Sequence, residues 1–166
     1  MDAGWQGLTL GLFRRVRDDV RTSIDGATAE ELDRRLGSNS VGWLVWHISR
    51  GQDRNLSELT GSTQLWLADD WANRFDRPAD PTDTGFGHSA EQAAAFRSPE
   101  LEFLLAYHAA THGLAETYLA SAADDDLGRL VVSPTLGNTH TVEERLAGQL
   151  HDSFAHAGQI GLLRGL

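Results

Sequence analysis

The sequence predicts an all-α four-helix bundle, and three observations carry that expectation. Four long stretches place apolar residues at steps of three and four, capping residues precede most of them, and one stretch rich in breakers separates the second from the third. The chain reads as a single domain over 1–166, long enough to bury roughly two-thirds of its unfolded surface without crosslinks.

The first helix carries Trp5, Leu8, Leu12, Val16, Val20 and Ile24 on one stripe and stops at Gly26. A short helical turn follows, with Thr28 and Glu31 in capping-box spacing, Leu32 and Leu36 inward, and Gly37 as its stop. Ser38-Asn39-Ser40 offers N-cap oxygens to a second long helix over 41–59, with Val41, Leu44, Ile48 and Leu59 inward and Gly61 beyond its end. Residues 60–98 form a long crossover, broken by Pro78, Pro81, Gly85 and Gly87, with short helical pieces over 65–75 and 89–96. A connection of that length lets the second and third helices run parallel.

Ser98 as N-cap and Pro99 at the first helical position open the third helix, which reaches Ala122 with Leu101, Leu104, Leu105, Ala115 and Leu119 inward. Asp124-Asp125-Asp126 then forms a solvated loop. After Pro134 and Gly137, a capping box of Thr141 and Glu144 starts the fourth helix, which runs to Arg164 through Val142, Leu146, Leu150, Ala157 and Ile160. Val131-Val132 is a scrap of extended chain, and no sheet is predicted.

Composition excludes several chemistries. With no cysteine there is no disulfide, no thiol nucleophile of the protein's own and no thiolate metal site, so any metal is held by nitrogen and oxygen. All fourteen basic residues are arginine, which leaves no lysine side chain for a Schiff base. A net charge of −10 opposes binding to nucleic acid, and the apolar runs fall short of the roughly 20 residues of a membrane span. No secretory signal is read at the N-terminus, so the expected location is the cytoplasm.

A helical wheel sorts the seven histidines. His47 lies in line with Leu44 and Gly51 on the buried side of the second helix. Asp152 and His156, four residues apart, share the flank of the fourth helix's apolar arc, whereas His151 points nearly the opposite way. Antiparallel packing brings His47 and His156 to similar height. His108 and His112 also fall on an apolar face, and His108 reaches the same height if helices two and three are parallel. His140 and His151 read as surface residues, and His88 sits in a glycine-flanked loop. Arg50 and Arg54 are placed to receive an anionic substrate but read first as a solvated helix face, and Trp43, Trp46, Trp66 and Trp71 read as core mass.

Three segments carry a family resemblance: Ser40-Val41-Gly42-Trp43-Leu44-Val45-Trp46-His47, Gly85-Phe86-Gly87-His88-Ser89, and Asp152-x-x-x-His156-Ala157-Gly158-Gln159. Together they resemble the DinB superfamily over nearly the whole chain, and most closely its DinB-like metal-dependent, mycothiol transferase branch. The resemblance implies a four-helix bundle of DinB type in which His47, Asp152 and His156 bind a divalent metal ion, zinc or nickel. At position 152 many members carry histidine and the isomerase branch glutamate. The second domain of that isomerase is absent here, so isomerase activity is not implied. Any one inward histidine is ordinarily a hydrogen-bonded core residue; three ligand-type residues converging at one height favour a metal centre, with His108 as a lining residue or fourth ligand.

Two functions follow as expectations. One is a divalent-metal-dependent thiol S-transferase that joins a low-molecular-weight thiol such as mycothiol to a small electrophile. The other is a metal-binding or stress-associated protein of the same fold without turnover. A homodimer through the helical faces fits both.

Overall fold

The computed structural model describes residues 4–165. α1 (Trp5–Ile24) buries Phe13, Val16, Val20 and Ile24, and Gly26 follows its end at φ +63°. Leu8 departs from the expected stripe and stands exposed. On a helix it lies about 100° from the line through Val16 and Val20, beyond the edge of the buried arc. α2 (Ala29–Leu32) opens with the Thr28–Glu31 capping box. It stops at Leu32, so Leu36 falls not on a helix but in a ribbon made by β1 (Arg35–Leu36) and β2 (Asn39–Ser40), where its side chain is exposed rather than inward.

α3 (Val41–Thr60) starts where the Trp43 amide donates to Ser40 Oγ and ends on Gly61 in the left-handed region. The crossover contains α4 (Leu65–Ala68), α5 (Trp71–Arg74) and α6 (Ala90–Ala94), the last opened by a capping box of Ser89 and Gln92. α7 (Leu101–Ser121) begins later than Ser98 and Pro99 predict, with Glu100 at its N-cap and no side-chain cap bond. Ser98 is used for packing instead: a Cβ at Gly42 would overlap its hydroxyl, so Gly42 is what lets this loop lie on α3. After a 3-10 turn (Asp126–Gly128), β3 (Leu130–Val132) and β4 (Thr139–Thr141) form an antiparallel hairpin. The expectation of no sheet misses this ribbon because each strand has three residues, too short for alternation to register. α8 (Val142–Arg164) opens on the Thr141–Glu144 capping box.

α3 packs against α7 and α8, and α1 packs against the same two. Ser49 meets His108 and Gln52 meets Thr111, so the partners advance together and α3 runs parallel to α7. Against α8 the order reverses: His47 faces Asp152 while Glu58 faces Arg145. The result is the all-α four-helix bundle with a long crossover between its second and third long helices. One core cluster gathers Val20, Ile24, Leu44, Trp46, Tyr107 and Ile160, and a second gathers Phe13, Leu56, Leu119, Val142 and Leu146. Trp43, Trp46, Trp66 and Trp71 are all buried, as expected. Among the described residues, no helix is long and apolar enough to cross a membrane.

The crossover is tied down by a buried ion pair that contradicts the solvated face expected for Arg50. Arg50 is 0% exposed. Its Nη1 lies 3.3 Å from Asp53 Oδ2, its Nε donates to the Asp83 carbonyl, and its Nη2 donates to the carbonyls of Asp80 and Pro81. Asp53 in turn accepts from the amides of Leu65 and Trp66 at 2.8 Å and from the Tyr107 hydroxyl at 2.7 Å. Two residues of one helix thereby hold the start and the middle of the crossover and one turn of α7.

His108 and His112 face the other side of the bundle, toward α1. The Ser49 hydroxyl donates to the Val45 carbonyl, so it accepts from His108 Nδ1 at 3.1 Å. His108 also borders a groove with Arg17 and Arg21. Burial pushes its imidazole down to about 4, reinforced by the nearby charges of His112 and Arg17.

Two outcomes are expected. Asp53→Ala leaves the Arg50 guanidinium buried without its carboxylate and should cost about 3–5 kcal/mol in urea unfolding. Between pH 6.5 and 4 the unfolded chain protonates His108 while the folded chain does not, so stability falls as pH drops through that window. The loss is of order 3 kcal/mol at its lower end, and above pH 6.5 this contribution is constant. Melting of wild type against His108→Gln across pH 4–7 checks it: the variant should show the shallower fall.

Candidate metal centre

α3 and α8 each contribute one turn to the site. Ser40 fixes the start of α3, so His47 falls on its second turn and Trp43, four residues earlier, stacks on it with ring centroids 4.8 Å apart and planes at 16°. On α8 the four-residue spacing puts Asp152 and His156 on one face. Antiparallel packing then brings the three together. His47 Nε2 is 3.5 Å from Asp152 Oδ2, His156 Nε2 is 3.4 Å from Asp152 Oδ1, and one ligand atom from each residue lies within 4.8 Å of the others. The aspartate, shorter than glutamate, therefore reaches both imidazoles.

The other nitrogen of each ring is committed. His47 Nδ1 sits 2.5 Å from the Thr84 carbonyl, and His156 Nδ1 sits 2.7 Å from Gln159 Oε1. Both partners are oxygens that accept, so each Nδ1 carries a proton and donates it, leaving each Nε2 to face Asp152: in the protonated ring it donates to the carboxylate, and in the neutral ring it offers a lone pair. This is the tautomer a metal ligand needs, set by the second hydrogen bond of each ring. Gly85 makes the first of these contacts attainable. It adopts φ +83°, and a Cβ there would stand 2.9 Å from both His47 Nδ1 and the Trp43 ring.

Burial alone would raise the Asp152 carboxyl, but hydrogen bonds from His156 and His47 and their charges outweigh it and hold the group well below the usual carboxylate range. For His156, burial opposes protonation, and the bonds to Asp152 and Gln159 more than reverse that, raising the imidazole. Among the described residues, this His/Asp/His trio is the group that could hold a metal ion. Its donors, two nitrogens and a carboxylate, are of the kind that could hold a divalent metal ion.

The trio stands at one end of a cleft of about 550 Å³ between α3, α8, the crossover loop and the β3–β4 hairpin. His151 is exposed, pointing away from the trio as the wheel predicts, and it borders the cleft together with His140. His88 braces the loop: its Nε2 lies 2.9 Å from Asp83 Oδ1 and its Nδ1 accepts from Trp43 Nε1. His108 has the height of His47 but the wrong azimuth. It turns toward α1 and does not line this cleft, because α3 meets α7 and α8 on different faces. Sequence reasoning passed over Thr84 and the role of Gln159. Gln159 had a signal, since it lies three residues beyond a ligand-type histidine on the same helix; Thr84 acts through its backbone carbonyl and left none.

None of the curated proteins matches the chain. A crystal structure of a conserved protein from Enterococcus faecalis is similar to it with a TM-score of 0.84 and 27% identity, covering 97% of this chain and 95% of that one. A family model described as the DinB superfamily matches residues 12–160, a span that takes in the crossover and all three of His47, Asp152 and His156. The bundle with its parallel middle pair and this match over most of its length lead to one assignment: the chain belongs to the DinB superfamily.

Proposed function

We propose that His47, Asp152 and His156 hold one divalent ion, zinc or nickel, and that the site serves transfer of a low-molecular-weight thiol such as mycothiol to a small electrophile. The observation that carries this reading is the pair of Nδ1 hydrogen bonds, which leaves both Nε2 atoms free and facing one carboxylate. A divalent ion held there would acidify a thiol that binds it, making the thiol nucleophilic near neutral pH.

The chain's own residues supply the rest. The bonds to Thr84 and Gln159 hold His47 and His156 in the orientation whose Nε2 is free for a ligand bond. Asp152 offsets one positive charge of the ion and lies at the cleft wall, partly exposed. With three protein ligands the site is open toward the cleft, in contrast to structural zinc sites closed by four. Because the chain has no cysteine, the nucleophilic sulfur comes from a cosubstrate. The cleft volume falls within the range of small-molecule sites, which favours turnover over the alternative of a metal-binding or stress-associated protein without activity.

Purified without an affinity tag and reconstituted with zinc, the protein should hold one ion per chain by elemental analysis. His47→Ala and His156→Ala should lose it, while the exposed His151→Ala should keep it. In the cobalt-substituted protein, a thiol should add sulfur-to-metal absorption. A wild type with no stoichiometric ion and the same melting temperature with and without chelator would overturn the metal and the thiol reading together. Gln159→Leu removes the acceptor behind His156 without touching the ligands. It should weaken zinc binding about 10–100-fold in a competition titration, with the helical circular dichroism unchanged.

A further inference from the structure

Arg54 stands one turn beyond Arg50 on α3, and the two are opposites. Arg50 is buried with acceptors at its Nε, Nη1 and Nη2. The Arg54 side chain lines the cleft, its Nε and Nη1 are shielded from solvent, and no acceptor meets them. The neighbouring acceptors are committed elsewhere. Glu58 takes Arg145 at 2.6 Å and the hydroxyls of Ser133 and Thr135. Asn55 and Gln149 bond each other at 2.8 Å, Asp152 lies between two imidazoles, and Glu144 caps its own helix.

Two guanidinium N–H groups shielded without acceptors on a half-buried arginine are costly unless a ligand meets them, and an anion meets them best. Burial does push its guanidinium below the ordinary range, with Glu58 only partly compensating. Seven residues separate Arg54 from His47, two turns or about 10 Å along the same side of the helix. His47 and Asp152 line the same cleft as Arg54.

We infer that the cleft takes a small carboxylate-bearing molecule and that Arg54 receives its carboxylate while the reacting end lies at His47, Asp152 and His156. The inference rests on the metal-and-thiol reading for the identity of that end. With Arg145 neutralised by Glu58 and the amides of Asn55 and Gln149 beside it, the Arg54 guanidinium suits a monoanionic carboxylate, which it grips in a bidentate manner, better than a phosphate dianion. The apolar remainder of such a molecule meets Phe86 and Leu136, which border the cleft and are exposed at 75% and 42%. A divalent ion at the trio would add to the positive end of this cleft, so an acidic protein presents an anion-accepting interior.

The test uses the cobalt-substituted protein and a matched pair of thiols, 6-mercaptohexanoate and 6-mercaptohexanol, titrated by visible absorption. The wild type should bind the carboxylate about tenfold or more tightly. Arg54→Met should bring the ratio near one without loosening the alcohol or the metal, and Arg54→Lys should keep part of it. Equal affinities in the wild type, or an unchanged ratio in Arg54→Met, overturn the inference while the thiol reading survives. Thiol-free hexanoate, followed by calorimetry on the zinc protein, separates the two ideas. If it binds in an Arg54-dependent way and no thiol alters the cobalt spectrum, the anion site stands and the thiol reading falls; if neither occurs, both fall. The source of the carboxylate follows from adding hexanoate to the complex with 2-mercaptoethanol: simultaneous binding assigns it to the electrophile, mutual exclusion to the thiol.

Discussion

Arg50 and Asp53 hold in place a crossover that has no long helix of its own to bury. A stretch of nearly forty residues with short helical pieces exposes many backbone groups, and those nearest the core need partners. Asp53 supplies acceptors to the start of α4, and Arg50 supplies donors to the carbonyls of Asp80, Pro81 and Asp83. Thr84 is the next residue, and its carbonyl holds the tautomer of His47. A buried ion pair by itself is weak support for stability. Here its value is positional, because it fixes where the chain passes over α3 and so which nitrogen of His47 is free.

Histidines on α3, α7 and α8 meet two different environments although their sequence neighbourhoods look alike. His47 and His156 sit at the rim between α3 and α8, each with one nitrogen bonded and one open toward a carboxylate. His108 sits between α3 and α7 with a hydroxyl on one nitrogen, no partner on the other and a depressed imidazole. The same side chain is poised for a cation in the first setting and kept neutral in the second. What separates them is the azimuth at which each leaves its helix.

Much of this was legible in the sequence where the signal was local. Capping boxes at Thr28 and Thr141, the Ser40 cap and the four-residue spacing of Asp152 and His156 depend on residues within one or two turns, and the structure reproduces them. The parallel course of α3 and α7 followed from the length of the crossover alone. What escaped depends on contacts distant in sequence. Ser98 does not cap its helix but packs its hydroxyl against Gly42, and Arg50 is buried because loop carbonyls thirty or more residues away converge on it. His108 was placed at the correct height, but height along a bundle does not determine facing, which depends on which neighbour each helix meets.

The parallel middle pair also has a temporal meaning. His47 emerges early in synthesis, whereas Asp152 and His156 lie about a hundred residues later, on the last helix. The groups between which an ion would sit cannot meet until α8 has docked against α3, so the site closes one of the longest loops in the fold and meets the full entropic cost of that closure. Sheltering the imidazole of α3 until then falls to Trp43, which stacks on it from the same helix and needs no long-range contact to do so. Before α8 docks, α3 offers only one isolated imidazole there, and an ion bound between the three residues would report that the two helices have met.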